Sequence, residues 1–197
     1  PVVDRWRTNI PAIEVKSIGA GGGSIAWVNT LLGNTLEVGP RSAGSMPGPA
    51  CYDQGGREPT VTDADVVLGI YNADNYLGGQ MRLDVELARR AIERHVAHPL
   101  GIDVMEAAWR IRRLVNARMG HEVFNEVALK GHDPRQFVIL ACGGAGGAHA
   151  CGFAEYAGAR RILMPPQASV FGAFGASTMP IREIWEQSRA LQLFDWA

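Results

Sequence analysis

The chain has 197 residues, enough for one domain with a substantial core or for two small ones. Apolar residues make up 47% and charged residues 20%, the balance of an ordinary soluble globular protein, and a net charge of -1 gives no reason to expect nucleic acid or an anionic membrane as partner. No apolar run reaches the roughly 18 residues of a membrane span, and Pro1-Val-Val-Asp-Arg-Trp-Arg7 lacks a signal-peptide core.

In chain order, residues 1 to 12 read as a lead-in with Pro1 and Pro11. Ile13 to Ile18 has apolar residues at 13, 15 and 18 and predicts a strand. Gly19-Ala-Gly-Gly-Gly-Ser24 then turns the chain, and Ser24 to Val28 returns as its hairpin partner. Asn34 to Val38 predicts a third strand. Residues 39 to 59 are dense in proline and glycine and exclude regular structure, so an ordered, functional loop is expected there, with Cys51 and Tyr52 embedded in it. Thr62, followed by Asp65, predicts an N-cap and a helix through Val66 to about Ile70. Asp84 caps a helix over 84–97, closed by Pro99 and Gly101. Asp103 caps a long helix from Val104 to about Lys130, with Gly120 marking a bend or a close packing contact. Phe137 to Cys142 predicts a buried strand. A helix follows from Ala148 to Ala157, then a short strand at Arg161 to Met164. Ser169 to Thr178 is a small-residue helix packed close to a neighbour or a ligand. Strands first, then helices, then strand-helix-strand-helix predicts an α/β fold.

Two glycine clusters stand out. A strand running through Gly143-Gly-Ala-Gly-Gly147 into a helix brings bare backbone N–H groups and a helix N-terminus to one place, where anionic or nucleotide ligands tend to sit. The plain alternative is close helix–strand packing, and the Rossmann pattern fails because His149 stands where Gly or Ala is needed. Gly19 to Ser24 is either a loose hairpin or a phosphate loop using backbone N–H groups and the Ser24 hydroxyl; no Gly-Lys-Ser/Thr follows, so it is not a P-loop. The fold is expected to bring the two turns together. His149 is a proton carrier, a metal ligand or, more commonly, a hydrogen-bonding residue at a helix terminus. Asp63 and Asp65 fit either helix capping or a magnesium ion held through water. Three cysteines without a C-x-x-C pair point to free thiols in a reducing, cytoplasmic compartment. Cys142 and Cys151 read as small buried hydrophobes, and Cys51 as packed or reactive.

Ser17-Ile-Gly-Ala-Gly-Gly-Gly-Ser-Ile-Ala-Trp-Val28, Val38-Gly-Pro-Arg-Ser-Ala-Gly44, Pro47-Gly-Pro-Ala-Cys-Tyr52, Glu58-Pro-Thr-Val-Thr-Asp-Ala64, Gly131-His-Asp-Pro134 and Gly143-Gly-Ala-Gly-Gly-Ala-His-Ala150 together resemble the A-subunit family of hydantoinases and 5-oxoprolinases. That family includes the ATP-dependent acetone and acetophenone carboxylases. The resemblance implies one ribonuclease-H-like lobe of an actin/sugar-kinase/Hsp70-type ATPase fold. It makes Gly21, Gly22, Gly23 and Ser24 a phosphate hairpin and Gly143, Gly144, Ala145 and Gly146 an adenosine loop. Ser169 to Ala176 becomes a connecting helix at the interlobe hinge. A first phosphate loop of the Asp-x-Gly-Gly-Thr type does not occur, nor does a first lobe. Residues 1–197 are therefore expected to be the second, C-terminal lobe of a longer subunit, a reading in line with the missing initial Met. The implied cofactors are ATP and Mg²⁺ (or Mn²⁺), with Asp63 as the metal candidate.

The tail Ser169-Val-Phe-Gly-Ala-Phe-Gly-Ala-Ser-Thr178 and Gly147 resemble the carboxylase branch. The implied function is part of an ATP-dependent ketone carboxylase that activates a ketone enolate, bicarbonate or both by phosphorylation. The alternatives are an ATP-dependent cyclic amide hydrolase and a non-catalytic assembly lobe. The implied partners are a hydantoinase B-like subunit, the first ATPase lobe and a small-molecule substrate.

Overall fold

Ser24-Ile-Ala-Trp-Val-Asn29 forms strand β1, and Thr35–Ser42 forms β2. They pair antiparallel through Ala26↔Val38, Trp27↔Glu37 and Val28↔Leu36, with a bulge between Ser24 and Ala26. The connection is a short 3-10 turn, Thr30–Leu32, closed by Gly33 in the left-handed region at φ 66°. In this computed structural model the described residues are 2–3, 6–7, 15–181, 183, 185 and 187. The hairpin thus differs from the expected one. Residues 15–18 are irregular, 13 and 14 lie outside the described residues, and the partner of Ser24–Asn29 comes after it in the chain. The expected third strand is that partner.

Pro59 and Thr60 run beside β1, with the Ala26 N–H donating to the Pro59 carbonyl at 2.8 Å. Helix α1, Val61–Val67, starts there. Its N-cap is Thr60, in a capping box with Asp63, two residues earlier than the expected Thr62/Asp65 pair. All seven residues of α1 are buried. Helix α2, Val85–Ile92, is capped by Asp84 as expected and continues through a π-helical turn, Glu93–Ala97. Asp103 caps the long helix α3, Val104–Leu129. Ala107, Ala108, Ile111 and Val115 lie on one face at three- and four-residue spacing and are fully buried. Burying an isoleucine such as Ile111 stabilises by roughly 1.5–3 kcal/mol. This face packs on α1, α2 and the hairpin to make the core. Arg118 of α3 pins the hairpin by donating to the Val38 carbonyl and pairing with Glu37.

The second half is smaller. Strands β3, Val138–Leu140, and β4, Arg161–Leu163, pair in parallel around helix α4, Gly146–Ala157. Helix α4 lies along α3, and Gly120 is the contact. A Cβ there would stand 2.4 Å from the Phe153 carbonyl oxygen, so Gly120 marks close packing. Two expectations are corrected here. The β3 strand is not buried, with Val138 and Leu140 47% and 46% exposed. The last helix, α5 (Phe171–Thr178), meets no close neighbour among the described residues at Gly172 or Gly175.

Candidate functional site

The first glycine turn is shaped from within. The Ser24 Oγ accepts the Gly21 N–H at 3.0 Å and donates to the Gly19 carbonyl at 3.3 Å, and the side chain is buried. The Gly23 carbonyl accepts the Ala43 N–H at 2.9 Å. The Ser24 hydroxyl therefore orders the turn. The N–H of Gly21 is occupied in the same way. The N–H groups of Gly22 and Gly23 find no partner among the described residues.

The second turn leads into α4. Gly143 adopts φ 85° and donates its N–H to the Ala168 carbonyl at 2.7 Å. Helix α4 starts at Gly146, two residues before the expected start, with Ala145 at the N-cap and no side-chain cap. Its leading N–H groups are thus left without helical acceptors at the positive end of the helix dipole. A Cβ on Gly144 or Gly146 would meet nothing within 4 Å, so this backbone faces open space.

The two turns meet. A Cβ placed on Gly22 would stand 3.7 Å from the Ala145 Cβ and 2.7 Å from the Thr62 Oγ1. Thr62 of α1 holds the Gly22 carbonyl twice, through its N–H at 2.8 Å and its hydroxyl at 3.0 Å. Beneath the second turn lies a buried polar cluster. His149 Nε2 stands 3.0 Å from Asp65 Oδ2, off the line of an ideal hydrogen bond, and neither atom has another hydrogen-bond partner among the described residues. The other ring nitrogen, Nδ1, is 2.7 Å from the Asn116 amide oxygen. Arg112 donates to Asp65 Oδ1 and to the Ala148 carbonyl. His149 and Asp65 are fully buried, and His149 makes its hydrogen bond inside the fold, to Asn116.

Asp63 lies apart from the two turns' open backbone. Its carboxylate is fully buried and accepts the N–H groups of Ala50, Cys51 and Thr60 and the Thr60 hydroxyl, at 2.8–3.2 Å. Oδ2 takes three of those donors and Oδ1 takes the Cys51 N–H. Among the described residues no group of three His, Cys, Asp or Glu side chains is placed to hold a metal ion. Asp63 instead buckles the proline-rich loop to α1. Cys51 sits in that loop fully buried, and burial together with the Asp63 charge pushes its thiol well above the usual range. Cys142 and Cys151 are exposed, not buried as expected.

Sequence reading missed Arg112 and Asn116. Their four-residue spacing on the flank of the buried stripe Ile111/Val115 was the available signal, since a polar pair there faces a neighbouring helix. Gly152 was the other clue. A Cβ on it would lie 2.2 Å from the Asn116 amide nitrogen.

Residues 1–184 match the family described as Hydantoinase/oxoprolinase. The chain belongs to that family. Among similar proteins, the acetophenone carboxylase gamma subunit of Aromatoleum aromaticum is 49% identical over 97% of this chain and 26% of its own length. The caprolactamase subunit alpha of Pseudomonas jessenii is 45% identical over 90% of this chain and 25% of its own length. A nucleotide-free structure of acetone carboxylase superposes with a TM-score of 0.75 at 34% identity, over 80% of this chain and 22% of that one. The crystal structure of ATP-dependent caprolactamase from Pseudomonas jessenii gives 0.77 at 46% identity, over 87% and 24%. This hydantoinase/oxoprolinase chain thus spans about a quarter of the length of these relatives. It shares their mixed α/β fold, and its relatives are enzymes. No helix among its described residues is long and apolar enough to cross a membrane.

Proposed function

We propose that the two glycine turns together form one side of a nucleotide site in an ATP-dependent enzyme of ketone carboxylation. The observation that carries this reading is the meeting of Gly22 and Ala145, which sets the free N–H groups of Gly22 and Gly23 beside the uncapped start of α4. Two donor arrays of like polarity side by side suit phosphate oxygens. Gly22 and Gly23 contact phosphate in this assignment, with Gly21 and Ser24 shaping the turn. Gly143, Gly144, Ala145 and Gly146 border the adenosine. ATP supplies a transferable phosphoryl group that activates a ketone enolate or bicarbonate. This chain binds and orients the nucleotide through backbone N–H groups, and its described residues offer no ligand set for the accompanying divalent ion.

The site is open on one side, and the β3–β4 pair leaves Val138 and Leu140 47% and 46% exposed on one face. Parallel strands are ordinarily buried on both faces. This supports the chain as the second lobe of a ribonuclease-H-like ATPase pair, completed by a first lobe and by a hydantoinase B-like subunit. A second reading, cyclic amide hydrolysis, is favoured by the 45% identity to caprolactamase alpha, close to the 49% for the carboxylase subunit. Bicarbonate-dependent against lactam-dependent ATP turnover separates the two. The test of the shared premise is calorimetric Mg-ATP titration of the longest native subunit, alone and in its purified complex. Binding that Gly22→Ala weakens and Gly21→Ala leaves unchanged is the expected result. The Gly22 Cβ would collide with Thr62, whereas a Cβ on Gly21 meets nothing within 4 Å. Absence of Mg-ATP binding in the complex would refute the reading and leave a non-catalytic assembly lobe.

A further inference from the structure

The buried polar groups touch neither open face, yet they connect the two turns through a single element. Helix α1 holds the Gly22 carbonyl with Thr62 at its start, through contacts of 2.8 and 3.0 Å. Three residues on, Asp65 faces His149 Nε2 at 3.0 Å and takes the Arg112 guanidinium. Arg112 in turn holds the Ala148 carbonyl in the first turn of α4. Every residue of α1 is buried, so it has no freedom to tilt without disturbing the core. We infer that α1 is a strut that sets the spacing of the two glycine turns, with Thr62, Asp65 and His149 as positioning residues for the nucleotide.

The inference rests on the nucleotide reading for its consequence, but its mechanical part is independent of ATP. Residues 62 and 65 lie on one rigid helical turn, so a shift at either end moves the other. Asn116 completes the arrangement. It holds His149 Nδ1 at 2.7 Å and lies against Gly152, where a Cβ would stand 2.2 Å from the Asn116 amide nitrogen. The imidazole is thereby held at Nδ1 by Asn116, with Nε2 turned toward Asp65. None of these side chains is placed to touch a ligand above the turns, because Asp65 and His149 are fully buried and Thr62 is 4% exposed.

The test is amide hydrogen exchange on the native full-length subunit without nucleotide, followed by Mg-ATP titration of the same samples. Thr62→Val removes one hydrogen bond at the first turn and keeps the shape of the side chain. The expected result is exchange faster by about threefold at residues 149–152, remote from the change, as well as at Ser24 and Ala43. His149→Gln is expected to act in the reverse direction, loosening Ser24 and Ala43. Thr62→Ser, which keeps the hydroxyl, restores near-native exchange, and Mg-ATP affinity falls several-fold in the Val and Gln variants but not in the Ser variant. If each variant loosens only its own turn, the strut is refuted, whatever ATP does. If exchange is coupled but wild type binds no Mg-ATP in its complex, the nucleotide reading fails and the mechanical coupling stands. A Gln variant that does not fold leaves the Val/Ser comparison to decide.

Discussion

Replacing Asp63 by Ala tests whether this carboxylate is a structural buckle or a metal ligand. The fully buried side chain accepts three backbone N–H groups and one hydroxyl. Each buried N–H left without an acceptor costs about 1–3 kcal/mol, and the Thr60 hydroxyl is free to rotate toward another acceptor. Three orphaned amides thus amount to about 3–6 kcal/mol, allowing for relaxation, against a total stability of about 5–15 kcal/mol for a typical domain. The loss falls on the loop around Ala50 and Cys51, so Cys51 is the local probe. Each 1.4 kcal/mol is about a tenfold change in the open population. The Asp63→Ala variant is therefore expected to expose Cys51 to a thiol reagent at least about 100-fold faster than wild type. EDTA is expected to leave the wild-type rate unchanged. A variant within about threefold of wild type, or a wild type that EDTA accelerates, would refute the buckle.

Three further outcomes are expected. Gly120→Ala lowers the thermal midpoint, because its Cβ would lie 2.4 Å from both the Phe153 carbonyl oxygen and the Tyr156 Cβ. Overpacking of this kind costs about 1–3 kcal/mol, more than the roughly 1 kcal/mol of helix propensity gained, and a raised midpoint would overturn the packing account. In the native protein at neutral pH, Cys51 resists alkylation, since it is buried and its thiol is held protonated; mass mapping of the modified peptides checks this, and ready modification of Cys51 would overturn it. Burial, with the Asp65 charge next in weight, pushes the Tyr71 phenol up to about 12. Its folded value exceeds the unfolded value of about 10, so the stability it supports is present below pH 10 and lost between about pH 10 and 12. Tyr71→Phe is expected to flatten the unfolding curve over that window, and an unchanged slope would remove Tyr71 as the cause.

The helices were legible because their signals are local. Asp84 and Asp103 cap α2 and α3 where their sequence positions predict, and the stripe of α3 repeats often enough to be read without a neighbour. The hairpin differs from its expectation because Ser24–Asn29 has candidate partners on both sides, and strand pairing is decided by packing that a local pattern does not encode. The start of α1 shifted by two residues because Thr60 and Thr62 are both good caps. Asp63 can complete a capping box for one and Asp65 for the other, and the buried loop N–H groups select Asp63. The two glycine turns could be found from composition alone, and their expected meeting is borne out at Gly22 and Ala145. The side chains that hold the turns in place, Arg112 and Asn116 above all, could not be found, since they carry no motif. Exposure of Cys142 and β3 likewise depends on what packs beside them, which a single apolar run does not encode.

The Asp65–Arg112–His149 cluster raises a last question, because buried charges are poor stabilisers. Desolvating an ion pair costs several kcal/mol per charge, and replacing such a set by apolar residues of similar size is often neutral or favourable. If the cluster served stability alone, it would have no advantage over such a replacement. Removing only Asp65 leaves Arg112, whose side chain is 17% exposed, without its partner and is expected to cost about 3–5 kcal/mol. Replacing Asp65 by Leu, Arg112 by Met and His149 by Phe together is expected to recover most of that loss, since no charge is then stranded. What the triple variant lacks is the directional hold on the Ala148 carbonyl and on the start of α4. Its unfolding midpoint is therefore expected near wild type while its Mg-ATP affinity stays as weak as that of the single variant. Affinity returning with stability would show that packing, not polar orientation, sets the second turn. A triple variant as unstable as Asp65→Leu alone would show that the cluster is a net stabiliser, and the positioning account would lose its physical basis.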